Sequence, residues 1–154
     1  MRFELLCVSK RPVKWVTNAG DDYLSRLKGK LVVSCRELPP VANAASAAAQ
    51  RDKEGDSILR ALPPGACTIA LDERGEEWST GQLAQQLDQW RQAARDVVFV
   101  IGGAEGLSSA VQAAAARVWA LSRLTLPHQL VRVIVLEQIY RAWSLSQNHP
   151  YHRV

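Results

Sequence analysis

Short apolar runs rich in β-branched residues alternate along the chain with longer stretches of amphipathic pattern. The short runs predict strands, and they cover residues 3–8, 31–38, 67–71, 97–101 and 118–121. The longer stretches predict helices over residues 16–27 and 42–62, from residue 80 behind the capping-box sequence STGQ, and from Ser108 or Ser109 to 117. Strands that alternate with helices indicate an α/β fold, with a mostly parallel sheet flanked by helices.

The segments between these elements are shorter and more polar. Residues 72–78 and the tail from residue 146 are predicted to be irregular, and Gly55 is expected to be a weak point in the helix over 42–62. The sequence contains neither an internal repeat nor a long linker. Residues 1–154 are therefore expected to form a single domain.

The apolar stretch over residues 130–145 fits two kinds of element. Its β-branched residues would suit a strand, whereas its length and the favourable spacing of Glu137 and Arg141 favour a helix. Such a helix is apolar nearly all round its first turns and should be buried on more than one side. We expect its own sheet on one side and a second subunit, related by a two-fold axis, on the other. A central helix in a monomer is the alternative.

Composition narrows the class of protein. Of the 154 residues, 47% are hydrophobic and 22% are charged, which excludes disordered and collagen-like chains. No apolar run approaches the roughly 20 residues that cross a bilayer, and charges interrupt the short apolar run at the N-terminus, so neither a membrane protein nor a signal peptide is expected. Cys7, Cys35 and Cys67 lie far apart without a CxxC pair and are expected to be buried thiols of a cytoplasmic protein. The histidines lack metal-ligand spacing, so no metal site is expected.

Charge is unevenly distributed along the chain. The net charge is +4, but residues 1–36 carry +5 (eight basic, three acidic), residues 37–116 carry −5 (six basic, eleven acidic) and residues 117–154 carry +4 (five basic, one acidic). If the two ends meet in space, they form a basic face that attracts phosphates. Ordinary solvated surface charge is the alternative.

Three loops follow predicted strands, and their sequences suit ligand binding. They cover residues 71–75, 101–106 and 122–128. In an open α/β sheet ligands bind at the carboxyl ends of strands, so these three loops are predicted to form one pocket. Gly102 and Gly103 would let backbone approach a ligand closely, or form an ordinary tight turn. The third loop suits a pocket with apolar walls and backbone hydrogen bonds. The GxGxxG fingerprint is missing after the first strand and Walker A is missing altogether, so NAD and ATP are poorly supported.

The C-terminal sequence NHPYHRV concentrates side chains that stack on bases, bind phosphate and move protons. Tyr151, His152 and Arg153 are therefore candidate functional residues, although a docked terminus would explain them too. His128 is a candidate base or a histidine at the start of a helix. Neither GxSxG nor a Cys/His arrangement supports a covalent nucleophile.

Five motifs carry a family resemblance: LDERG, IGGAEG, SRLTLPHQLVRV, EQIYRAWSL and NHPYHR. In this order and spacing they resemble the bacterial ribosomal large-subunit pseudouridine N3-methyltransferase family, of the SPOUT class. The resemblance covers essentially the full chain and is strongest over residues 71–153. It implies a deep trefoil knot near the C-terminus, an exception to unknotted topology. The knotted loops would hold S-adenosylmethionine, and the residues implied to contact it are Leu71, Gly102, Gly103, Ser122, Arg123, Leu124, Thr125, Leu126 and Pro127.

The resemblance also implies a homodimer in which the tail of one subunit completes the site of the other. The substrate would be a pseudouridine in a hairpin of 23S ribosomal RNA, methylated on assembled ribosomes. Its N3 lies between two carbonyls and is a poor nucleophile until its proton leaves, so a base or a nearby positive charge is needed. His152 and Arg153 are the candidates for these roles, with His128 as a second candidate base and Tyr151 as a group that stacks on the target base.

The sequence departs from the family pattern at two places and leaves two alternatives. Residues 41–49 carry no charge and residue 76 is Glu, where the family often has basic residues, and this weakens the charge facing RNA. One alternative is a SPOUT methyltransferase acting on another RNA such as tRNA, which the PYHR tail argues against. The other is a non-catalytic ribosome-binding factor, which the intact glycine pair and tail argue against.

Overall fold

The computed structural model describes residues 1–152, and for His152 the backbone only. The elements follow one another in the order β1 (Phe3–Val8), α1 (Lys14–Leu27), β2 (Val33–Leu38), α2 (Ala47–Ala61), β3 (Cys67–Glu77), α3 (Thr80–Gln92), β4 (Val97–Ile101), α4 (Ser109–Ala114), β5 (Arg117–Ala120), α5 (His128–Ser146) and a 3₁₀ turn over Pro150–His152. The regular alternation of strand and helix predicted from the sequence is confirmed.

The strands form one sheet in the order β2-β1-β4-β3-β5, and every pair in it is parallel. The predicted α/β class, with a mostly parallel sheet flanked by helices, is therefore confirmed. Parallel neighbours need crossover connections, which the helices provide. The trefoil knot stays a prediction, because strand order does not define how the chain is threaded.

The two faces of the sheet carry two separate cores. Alternate side chains of a strand point to opposite faces; thus Phe99 belongs to the cluster that contains Leu87 of α3 and Leu136 of α5. Its neighbour Val100 belongs to the cluster that contains Ile58 of α2 and Val111 of α4. Helices α1, α3 and α5 therefore cover one face, and α2 and α4 cover the other.

Several element boundaries differ from the sequence prediction, three of them by three residues or more. Helix α2 begins at Ala47 and not at residue 42, because the Ser46 side chain accepts a hydrogen bond from the Ala49 N–H and caps the helix there. Helix α4 ends at Ala114, and Arg117 already belongs to β5. Strand β3 does not end at residue 71: its pairing with β5 shifts between Leu71 and Glu76 and then resumes, so the predicted loop is a bulge within a strand.

The apolar stretch near the C-terminus is a helix, as its length and charge spacing predict. Helix α5 packs against α1 and α3, and each of its residues is buried or half-buried. Its packing on α1 brings the N-terminal and C-terminal thirds of the chain together. Within the described residues, none of the helices combines the length and apolarity needed to cross a membrane.

Burial of the cysteines follows their place in the sheet. Cys7 and Cys67, on interior strands, are buried as predicted. Burial raises the pKa of the Cys7 thiol to about 12, which makes it unreactive at neutral pH. The prediction is wrong for Cys35, which is only half-buried because β2 is an edge strand.

We predict that Gly55→Ala destabilises the fold. A Cβ at Gly55 of α2 would lie 2.2 Å from the Ser108 Oγ. Gly55, expected from helix propensity to be a weak point, is therefore the position where α2 closely approaches the start of α4. Overpacking of this kind costs about 1–3 kcal/mol, which lowers the Tm by about 2–4 °C per kcal/mol. Thermal unfolding followed by circular dichroism measures this change.

Gly81→Ala is the matched control, because Gly81 also lies in a helix but the nearest atom to its added Cβ is 3.8 Å away. It should leave the Tm unchanged or raise it slightly. Equal changes in the two variants would contradict the close-contact explanation.

Candidate active site

The bulge of β3 and the loops that follow β4 and β5 line one pocket at the carboxyl edge of the sheet. These strands are neighbours in the sheet, so the segments after Leu71, after Ile101 and after Ala120 meet there. The pocket has a volume of about 610 Å³, within the range of small-molecule sites. The prediction that the three loops share a pocket is confirmed.

The glycine loop after β4 is a tight turn with no room for a side chain at Gly102. The Gly106 N–H donates to the Gly103 carbonyl at 3.1 Å. A Cβ at Gly102 would lie 2.7 Å from the Gly106 carbonyl carbon. The backbone of Gly102 and Gly103 therefore forms this wall of the pocket directly.

The bulge of β3 is organised by Asp72. Its carboxylate accepts hydrogen bonds from the backbone N–H of Arg74 at 2.9 Å and from the Arg74 Nε at 3.0 Å. The Gln112 side chain donates to the same carboxylate at 2.8 Å. The Arg74 guanidinium hydrogen bond lowers the pKa of Asp72 below its usual value, so the loop carries a fixed negative charge.

The third loop is connected to the first by a side-chain hydrogen bond. The Thr125 Oγ1 donates to the Glu73 Oε2 at 2.5 Å, and the Ser122 Oγ accepts from the Leu124 N–H at 2.9 Å. His128, the first residue of α5, lines the pocket beside this loop. The third loop is therefore held to the bulge of β3 where both line the cavity.

Most of the residues predicted to bind the cofactor line this pocket: Leu71, Gly102, Gly103, Ser122, Leu124, Thr125, Leu126 and Pro127. The exception is Arg123, whose side chain is 91% exposed and donates to the Glu77 Oε1 at 2.9 Å. Arg123 lies between two pocket residues in sequence, but its ion pair with the end of β3 turns it away from the cavity.

Sequence reasoning missed Trp119 of β5, which lines the pocket. Its ring stacks on Trp78, with centroids 5.2 Å apart and an interplanar angle of 18°. The indole N–H is buried and finds no partner among the described residues. The available signal was a large aromatic residue near the carboxyl end of an apolar run that precedes a candidate loop.

Tyr151 lies on the α1 and α5 side of its own subunit. Its hydroxyl is 3.3 Å from the Glu137 Oε1 and 3.4 Å from the Tyr23 hydroxyl. Its ring meets Tyr140 edge-on at 4.6 Å, and the Arg141 guanidinium lies 5.0 Å from the ring centre. Burial is the main reason that the pKa of Tyr151 is raised above its usual value. The phenol therefore stays neutral and anchors the tail.

The tail and the pocket of one subunit lie apart. Tyr140, which contacts Tyr151, follows the pocket residue His128 by twelve positions in α5, a separation of about 18 Å along a helix. Tyr151 and His128 are therefore not brought together within one chain. The side chain of His152 and the whole of Arg153 lie outside the described residues. Among the side chains that are described, His, Cys, Asp and Glu form no group of three suited to a metal ion.

Comparison with known proteins identifies the class. The family model described as "Predicted SPOUT methyltransferase" matches residues 1–152. The chain therefore belongs to the SPOUT methyltransferase family, and the resemblance seen in its motifs is confirmed.

Curated relatives match over the whole length. The chain is 46% identical to "Ribosomal RNA large subunit methyltransferase H" of Marinomonas sp. (strain MWYL1), over 99% of this chain and 100% of the relative. It is 44% identical to the protein of the same name from Thioalkalivibrio sulfidiphilus (strain HL-EbGR7), over 99% of both chains. Among solved structures, the SpoU methyltransferase AviRb from Streptomyces viridochromogenes, in complex with the cofactor AdoMet, matches with a TM-score of 0.47 and 11% identity, over 96% of this chain and 58% of that one.

Proposed function

We propose that this chain is a single-domain, cytoplasmic enzyme that transfers a methyl group from S-adenosylmethionine to N3 of a pseudouridine in 23S ribosomal RNA, on assembled ribosomes. The observation that carries the proposal is the pocket formed by the three loops at the carboxyl edge of the sheet. Membership of a methyltransferase family supports the reaction. The name of the full-length relatives supports a large-subunit ribosomal RNA as substrate.

The residues of the pocket fit the cofactor. Apolar side chains of Leu71, Trp119 and Leu121 line it and suit an adenosine group, while exposed backbone of the glycine loop and the third loop can hydrogen-bond its polar edges. The bound cofactor supplies an electrophilic methyl group on a sulfonium. The protein contributes chiefly by holding this group in line with the attacking nitrogen.

The target N3 must lose its proton before it attacks. We assign this task to His152 or to His128, and the stabilisation of the resulting anion to Arg153. His128 already lines the pocket. For Tyr151 we favour a positioning role over stacking on the target base, because its ring and hydroxyl are engaged with Tyr140 and Glu137.

A homodimer would bring a tail to each pocket. Leu130, Val133 and Ile134 are half-buried and their spacing puts them on one side of α5. Leu124 at the pocket is 71% exposed. A partner subunit would cover Leu124 and this apolar side of α5. If two copies of α5 pack antiparallel about a two-fold axis, the C-terminal end of one helix lies beside the N-terminal end of the other. The tail held near Tyr140 would then reach the partner's pocket.

A basic segment with an exposed aromatic residue flanks the pocket and suits RNA. Lys10, Arg11 and Lys14 are exposed, and Trp15 is 54% exposed among them. The segment is fixed beside the start of α5, because the Val13 N–H donates to the Gln129 Oε1 at 3.2 Å. Lysine and arginine neutralise phosphates, and an exposed indole can stack on an unpaired base.

Transfer of a labelled methyl group from S-adenosylmethionine tests the proposed function. Unmethylated ribosomes, free 23S RNA and tRNA are offered in parallel. Label on the 23S RNA of intact ribosomes, and little elsewhere, is the expected result. Label on tRNA alone would keep the reaction and overturn the substrate. Tight ribosome binding without label on any RNA would favour a non-catalytic factor.

We predict that the tail acts on the partner's pocket. His152→Ala should abolish methyl transfer and leave cofactor affinity unchanged, whereas Gly102→Val should block the pocket and leave the tail intact. Dimers reassembled from an equal mixture of the two variants should recover about a quarter of the wild-type activity, because half of them carry one intact site. Each variant by itself is the control, and failure of the mixture to regain activity would contradict a site shared between subunits.

We predict that Trp15→Ala and Lys14→Ala weaken binding to the ribosome. Loss of a stacked indole costs roughly 1–3 kcal/mol, and loss of one phosphate contact lowers the slope of log K against log salt by about one. Filter binding over a salt series measures both effects. Lys53→Ala, an exposed lysine on α2, is the matched control. Dissociation of the dimer by Trp15→Ala, measured by analytical ultracentrifugation, would assign this surface to the partner subunit instead.

A further inference from the structure

Helix α2 carries a buried carboxylate directly behind the glycine loop. Glu54 is 2% exposed. Its Oε1 accepts hydrogen bonds from the Val41 N–H and from the Gln50 Nε2, both at 3.0 Å. Its Oε2 is equally buried and has no hydrogen-bond partner among the described residues. A buried polar atom left without a partner in this way requires an explanation.

The free oxygen points at the pocket wall. A Cβ built on Gly103 would lie 2.9 Å from the Glu54 Oε2, and Gly103 lines the pocket on its other side. The carboxylate therefore lies against the backbone of a glycine that borders the cavity. The close approach of Gly55 to Ser108 packs α2 against the segment that follows this loop.

The charge of this carboxylate is not balanced within the described part of the chain. Glu54 takes part in none of the ion pairs found there. A carboxylate shielded from water acts strongly on a second charge nearby. A cation held in the pocket would meet an attractive field through Gly103.

We propose that Glu54 makes the pocket selective for a positively charged ligand over its neutral counterpart. The ligand's identity rests on the proposed function. S-adenosylmethionine carries a sulfonium; after the methyl group has passed to the pseudouridine nitrogen, the sulfur keeps the bonding electron pair and is a neutral thioether in S-adenosylhomocysteine. Glu54 thus favours binding of the cofactor and release of the product. It is a specificity-determining residue and does not touch the reacting atoms.

Isothermal titration calorimetry with both ligands tests this role. In the wild-type protein, S-adenosylmethionine should bind more tightly than S-adenosylhomocysteine. Glu54→Gln keeps the size of the side chain and removes its charge, and should weaken S-adenosylmethionine roughly 5- to 30-fold while changing the affinity for S-adenosylhomocysteine less than about twofold. Asp56→Asn, an exposed carboxylate on the same helix, is the matched control and should leave both affinities unchanged.

The ratio of the two affinities distinguishes an effect of the Glu54 charge from a purely structural role of Glu54 in supporting the glycine loop. Equal weakening of both ligands by Glu54→Gln, or no change in either, would overturn the proposal. Glu54→Asp keeps the charge and should keep a preference for the cofactor; loss of that preference would also overturn it, whether or not Glu54→Gln folds. A wild-type protein that binds neither ligand would refute the proposed function itself, and this inference with it.

Discussion

The parallel direction of all five strands is the constraint on which the rest of the structure depends. Because every strand runs the same way, every strand ends at the same edge of the sheet. The neighbouring places of β4, β3 and β5 then bring three separate loops into contact. The pocket is thus a consequence of topology. Its three motifs are far apart in sequence and line the same pocket because their strands are adjacent in the sheet.

Behind the pocket, close packing links the glycine loop to a helix that does not line the cavity. Gly55 of α2 allows the approach of Ser108, and Gly103 allows the approach of Glu54. Interiors packed at this density respond to small changes in volume or charge. Residues of α2 can therefore influence a bound ligand through the backbone of the loop, without contact with it.

The length of α5 separates two groups of functional side chains. The helix begins at the pocket with His128 and ends at Ser146, about 27 Å further along its axis. The tail then folds back on Tyr140 and Glu137, still far from the cavity of its own subunit. The two-fold partner proposed above would unite them, and it would cover the half-buried apolar residues Leu130, Val133 and Ile134 of α5.

The sequence by itself determined the strands over residues 3–8 and 97–101, the start of α3 at its capping box, and the meeting of the three loops. Apolar runs and side-chain caps are local features of the sequence, and a parallel fold class dictates where strand ends lie. Only the tertiary structure decided that β3 resumes at Glu76, that Arg123 turns away toward Glu77, and that Glu54 lies behind Gly103. Each of these depends on a partner from a distant part of the chain, and a local pattern holds no information about which distant residue becomes a neighbour.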